Sequence, residues 1–169
     1  VIPTPAAQAY AEREGVRALM ITASHNPPEY NGVKLVGDDG IELSVDHLER
    51  VEEKFLTEAF ESVRWNETGH THHVEDARDR YVDQLLDSVD REAIADAALT
   101  VALDPGHGAG ALTSPQFFRR LGCDIVTANS QPDGHFPGRN PEPVPENLDD
   151  VGRLVEVTDA DVGIAHDGD

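Results

Sequence analysis

From residue 99 onward the chain alternates short apolar runs with amphipathic ones: "LTVALD", "SPQFFRRLG", "DIVTA", "PENLDDVGRLVEVT", "DVGIAHD". A short apolar run bounded by turn residues reads as a buried strand, and the longer segments between them, the last opened by Pro145 and Glu146, read as helices. Strands separated by single helices pair in parallel through right-handed crossovers, which puts the chain in the α/β class. Open sheets of this kind gather ligands beyond the carboxyl ends of their strands. Asp104, Gly106 and Asp167 all fall at such ends.

The first half follows the same layered rhythm. Thr4 followed by Pro5 predicts a helix over residues 5–14 that stops at Gly15. "RALMITA", residues 17–23, is an apolar run suited to a strand covered on both faces. "VKLV" and "IELS" flank "GDDG" and predict a hairpin. Ser44 then caps a helix over residues 45–60 with Val45, Leu48, Val51 and Phe55 on one face. Residues 62–74 have no period and read as a loop, with Trp65 a packing anchor. In "EDARDRYVDQLLDSV", Ala77, Tyr81, Leu85 and Val89 mark a helix face. The composition turns apolar after "DREAIAD", which sets a domain boundary near residues 90–98. The expectation is two α/β/α layered domains with mixed, largely parallel sheets, over residues 1–90 and 97–169. The chain opens on Val1 inside a helix entry and stops at "GIAHDGD", so it reads as a piece of a longer protein, incomplete at both ends.

Charge excludes some function classes. Among 169 residues there are 13 Lys+Arg against 33 Asp+Glu, a net charge of -20 that repels nucleic acid and anionic membranes. Lys34 and Lys54 are the only lysines, and the acids are spread along the chain, a pattern that resembles proteins of salt-loving organisms. No run of ~18 apolar residues suggests a membrane span. The single Cys123 has no disulfide partner within the chain, and a cytoplasmic location is the default.

The chemistry concentrates in "TASHNPPEYNGVKL". Ser24 ends a strand on a turn rich in Asn, Pro and Gly, which can hold a hydroxyl rigid and exposed, as a nucleophile or phosphate carrier requires. His25 and Lys34 are the neighbours able to move protons or steady negative charge. No Gly-x-Ser-x-Gly elbow is present to suggest a serine hydrolase. Alone, such a serine more often only hydrogen-bonds within its turn.

The stretch from Thr22 through Lys34 resembles the active-site loop of the α-D-phosphohexomutases, the phosphoglucomutases and phosphomannomutases among them. "VALDPGHGAGALTSPQFFRRLGCDIV" and "PDGHFPGRNPEPVPENL" resemble the opening of that family's second domain, and "DVGIAHDGD" resembles the start of its metal loop. The resemblance implies that Ser24 carries a phosphoryl group exchanged with a hexose phosphate and a hexose bisphosphate, between the 1- and 6-positions of the sugar. It assigns His25 and Lys34 to the acid/base and phosphate-contacting machinery. It also implies Mg²⁺ held by Asp167, Asp169 and the group on Ser24, with a third carboxylate and an arginine beyond residue 169. Phosphoryl transfer needs its charge neutralised, and close carboxylates offer Mg²⁺ hard oxygens. The intact family has four domains, so the chain alone is expected to be inactive. Two other readings stand beside this one: a non-catalytic sugar-phosphate binding module, and a Mg²⁺-dependent phosphatase with Asp167 as nucleophile. The preferred hexose and the oligomeric state are not legible.

Two further motifs carry less. "GHGAG" resembles a dinucleotide fingerprint, but its third glycine comes one residue early and Asp124 precedes its strand, so a close-packed strand-to-helix turn is expected. His70, His72 and His73 in "GHTHH" lack a second ligand cluster for zinc and read as an exposed polar loop. Phe117, Phe118 and Leu121 are expected to cover the sheet, Cys123 to be buried, and Arg139 to be a solvated loop residue.

Overall fold

A computed structural model describes all 169 residues. Strand β3 (Thr100–Asp104) lies between β4 (Asp124–Thr127) and β5 (Val162–Ala165), and both neighbours run parallel to it. Helices cover both faces of β3, which explains its almost unbroken burial. On one face, Val101 and Leu103 join Leu121 and Cys123 in a core with Val82 and Leu86 of α3 (Ala77–Asp87). Phe117 and Phe118 of α5 (Ser114–Arg120) pack against that core at its edge. On the other face, α6 (Asp149–Thr158) comes so close that a Cβ on Gly163 would meet Val155 at 2.7 Å. Gly163 is paired in register with Ala102, so two small residues make room for that helix.

Near the amino end, α1 (Thr4–Glu14) ends at Gly15 in the left-handed conformation, with the Gly15 and Val16 amides turned back onto the last turn. The helix starts one residue earlier than expected. Pro3 occupies the cap position and the Thr4 side chain, expected to cap, is buried and used elsewhere. Strands β1 (Ala18–Ile21) and β2 (Val33–Val36) form an antiparallel pair. Thus the parallel pairing lies in the second sheet, and the first is antiparallel.

Several local expectations are corrected. Strand β1 is covered on one face only, leaving Leu19 and Ile21 exposed. "IELS" contributes a single bridge, Glu42 to Val36, in place of a full hairpin strand. Helix α2 (Val45–Leu56) stops short of residue 60 and buries no residue; the Ser44 hydroxyl meets His47 Nδ1 instead of capping the backbone. The buried stripe of α3 is Val82 and Leu86, one position on from Tyr81 and Leu85. That stripe packs on the core of β3 while α3 also lies against α1, so the helix touches both units. A short α4 (Arg91–Ala97), capped by Asp90, leads into β3. A 3-10 turn, Pro145–Asn147, precedes α6, which begins only at Asp149. Trp65 is 88% exposed, so it anchors nothing in this chain. The loop of residues 62–73, with His70, His72 and His73, is exposed throughout. No helix is long and apolar enough to cross a membrane.

Candidate active site

The carboxyl ends of β1, β3 and β5 meet at one place. After β1, the Thr22 amide donates to the Gly32 carbonyl at 3.0 Å and closes the loop between them. A Cβ at Gly32 would sit 2.7 Å from the Thr22 carbonyl oxygen, so the closure needs glycine. Within the loop the Ser24 amide donates to Thr22 Oγ1 at 2.9 Å, and Ser24 takes a left-handed φ of 56°. That conformation is unfavourable for a residue with a Cβ and is held here by the surrounding turn. It leaves Ser24 half-buried at the rim.

The end of β5 leads into Asp167, Gly168 and Asp169. Gly168 is walled in: a Cβ there would lie 3.1 Å from the Ser24 carbonyl, 3.1 Å from Pro141 and 3.3 Å from the Phe136 ring. The Ala109 amide donates to the Gly168 carbonyl at 3.1 Å, and a Cβ on Gly108 would run into the Gly168 backbone. "GHGAG" is therefore a turn whose glycines let the carboxylate loop press against β3, as the close-packed reading expects.

The structure brings the five sequence-chosen residues into this corner. Lys34 sits opposite Met20 in the β1–β2 register and donates to Asp169 Oδ2 at 2.8 Å. That hydrogen bond raises the Lys34 pKa from its ordinary 10.5, against a smaller opposing effect of burial, so the side chain stays an ammonium ion. Thr4 donates to the same oxygen at 2.9 Å, and Glu42 lies 3.8 Å from the ammonium. His25 is half-exposed, with Nδ1 3.8 Å from Asp167 Oδ2. Asp167 Oδ1 accepts from the Gly168 amide at 2.6 Å. Clefts between the "GDDG" turn and α2, and along α6, do not include Ser24, Asp167 or Asp169.

Arg139, expected to be solvated, is a buried residue of this corner. Its Nε donates to Asp104 Oδ2 at 2.8 Å and one terminal nitrogen donates to the His166 carbonyl at 2.6 Å. Asp104 is fully buried; its Oδ1 accepts from the Gly106 amide at 2.8 Å and from Asn129 Nδ2 at 3.1 Å. A signal for this pair was present. In "TVALD" an apolar stretch, Val101 to Leu103, ends on an acid, and a buried carboxylate requires a cation. His166 Nε2 is buried without a partner; burial, followed by the charge of Arg139, lowers the imidazole's pKa from its ordinary 6.5.

Two profiles match the chain. One, described as "Phosphoglucomutase/phosphomannomutase, alpha/beta/alpha domain I", covers residues 1–62, and its domain II counterpart covers residues 79–169. The chain belongs to the phosphoglucomutase/phosphomannomutase family. A family member from Thermococcus kodakarensis named "Phosphoglucomutase/phosphomannomutase" is 45% identical over 170 residues, all of this chain and 37% of that protein. A "Probable phosphoglucosamine mutase" of Methanopyrus kandleri is 44% identical over the same span. The crystal structure of a phosphoglucomutase/phosphomannomutase family protein from Burkholderia thailandensis matches with a TM-score of 0.82 and 29% identity, covering 100% of this chain and 37% of that one. The chain thus spans a little over a third of the length of these phosphohexomutase relatives. The segment between the two profile matches, residues 63–78, ends as α3 begins, in agreement with the packing of α3 on β3.

Proposed function

We propose that the protein carrying this chain moves a phosphoryl group between the 1- and 6-positions of a hexose phosphate, by way of a hexose bisphosphate and a phosphoserine at Ser24. The observation that carries this reading is the packing of the Ser24 turn directly on Gly168, between two carboxylates. A phosphate on Ser24 would face Asp167, Asp169 and Glu42 with only Lys34 and His25 to offset them. Such a corner tolerates a phosphate only with added positive charge.

The donor set suits Mg²⁺. No three His, Cys, Asp or Glu side chains converge on one point, but Mg²⁺ needs only one or two carboxylates when phosphate oxygens and water complete its shell. Asp169 Oδ1 takes part in no hydrogen bond, and Asp167 Oδ2 faces only His25. Asp167, Asp169 and the phosphoryl group on Ser24 would hold the ion, which when bound supplies the charge that neutralises the phosphoryl oxygens.

The residues of the chain do the rest. In the forward step a sugar hydroxyl oxygen bonds to phosphorus as the bond from phosphorus to Ser24 Oγ breaks; the hydroxyl proton goes to a base and Ser24 Oγ takes up a proton. The turn fixes the Ser24 backbone, so little backbone ordering remains to be done at the reacting centre. Lys34, held cationic by Asp169, offsets charge on the transferring group. His25 accepts or returns the proton, and Asp167 steadies the imidazolium that results. Because the chain spans 37% of its relatives, the 169 residues alone are expected to show no turnover. A cytoplasmic setting, and a salt-loving source for so acidic a chain, belong to the same reading.

Intact-mass spectrometry of the whole protein tests it. One phosphate is expected, lost in Ser24→Ala together with conversion of glucose 1-phosphate to glucose 6-phosphate. A phosphate that persists in that variant places the nucleophile elsewhere. Inorganic phosphate released without isomer formation would make Asp167 the nucleophile of a phosphatase.

A further inference from the structure

We propose that Arg139 is a positioning residue, which ties the backbone before Asp167 to the buried end of β3 and so keeps the carboxylate turn in one place against Ser24. The inference rests on the phosphoserine and Mg²⁺ reading and names a residue that reading does not use.

The guanidinium spends its donors on two structures at once. Nε holds Asp104 Oδ2 at 2.8 Å, and a terminal nitrogen holds the His166 carbonyl at 2.6 Å, one residue before Asp167. The other terminal nitrogen donates to the Asn140 carbonyl at 2.9 Å and the Pro141 carbonyl at 3.1 Å. Pro141 is one wall of the Gly168 cradle, and the Ser24 carbonyl is another. One planar fork therefore fixes both the start of the carboxylate turn and a wall that it leans on. An ammonium group cannot span these acceptors, because their directions match the fixed fork of arginine.

Asp104 anchors the fork in turn. It is fully buried, and Gly106 and Asn129 satisfy the oxygen that Arg139 leaves free. A buried pair of this kind adds little stability over apolar residues of the same volume. Its distinguishing property here is where its remaining donors point.

Two variants of the whole protein separate positioning from stability. Arg139→Lys keeps a charge beside Asp104 and loses the fork. The double variant Asp104→Leu/Arg139→Met removes both charges but leaves the Gly106 amide and the His166 carbonyl without these partners, so its thermal midpoint is expected to fall, and the protection of Ala102 in β3 reports how far that loss is global. In both, the Mg²⁺ concentration for half-maximal turnover is expected to rise about tenfold, the usual size of effect when a support behind a metal ligand is lost. A second readout needs no metal: the Ala109 amide, bonded to the Gly168 carbonyl, should exchange with solvent at least about tenfold faster, while Ala102 in β3 stays protected. A double variant with parental Mg²⁺ response and parental Ala109 exchange overturns the proposal. If the parent shows no Mg²⁺ dependence, the Mg²⁺ reading fails, and Ala109 exchange alone decides whether Arg139 holds the turn.

Discussion

The Lys34 ammonium and the Asp169 carboxylate are 135 positions apart in the chain and 2.8 Å apart in space. Their contact joins the two structural units at the corner that also holds Ser24, His25 and Asp167. Thr4, at the start of α1, donates to the same carboxylate oxygen, so three separated segments converge on Asp169. A sheet pairing places Lys34, a helix start places Thr4, and the end of a parallel strand places Asp169.

Removing that ammonium should be felt in both chemistry and stability. Lys34→Met is expected to lower turnover of the whole protein about 100-fold, the effect of losing one donor to developing charge. Since Asp169 raises the Lys34 pKa above 10.5, the stability from the pair is fully present below pH 10.5 and is lost as pH rises through the folded-state value. Denaturant titrations of parent and variant should differ by a constant amount from about pH 7 to about pH 10 and converge above that range. Convergence already near neutral pH would show that the contact is absent.

Ser24 should separate backbone strain from chemistry. Its φ of 56° costs a side-chain-bearing residue about 1 kcal/mol that glycine avoids. Ser24→Gly is therefore expected to be about 1 kcal/mol more stable than Ser24→Ala, with neither variant carrying phosphate. Equal unfolding midpoints for the two would mean that the left-handed turn is not populated.

Two glycines should respond in opposite directions to alanine. Gly152 lies inside α6 with nothing within 4 Å of an added Cβ, so Gly152→Ala should stabilise by about 0.5–1 kcal/mol. Gly108→Ala drives a methyl group into the Gly168 backbone and should destabilise by about 1–3 kcal/mol. Thermal unfolding of the two variants checks both signs. A neutral Gly108→Ala would mean that the two loops are not in contact.

Salt should stabilise this chain more than most. A net charge of -20 leaves carboxylates repelling one another across the surface, and screening relieves that repulsion within a few ångströms at high ionic strength. The thermal midpoint is expected to climb steadily as KCl rises from about 0.1 M to about 2 M. A midpoint that falls over that range would show that the exposed ion pairs, such as Arg120 with Asp83, outweigh the repulsion.

Much of the fold was legible because strands and helices announce themselves in local patterns. "LTVALD", "DIVTA" and "DVGIAHD" each became a parallel strand, and Gly15 ended its helix as its freedom at positive φ suggests. The errors lie where a pattern is ambiguous without its partner. Helix α2 has a clear apolar face and buries none of it in this chain; α3 has two adjacent stripes, and only the packing on β3 selects Val82 and Leu86.

The Ser24 turn and the "DGD" end stood out in the sequence by their resemblance to one family's loops, because residue types alone leave a turn serine and a pair of carboxylates open to plainer roles. What tertiary structure alone decided is which groups meet: His25 beside Asp167, Lys34 on Asp169, Arg139 between Asp104 and the His166 carbonyl. The reason is physical. Local sequence sets which backbone conformations are cheap, whereas the partner of a buried charge is chosen by the closure of distant loops, and no periodicity within the chain records that choice.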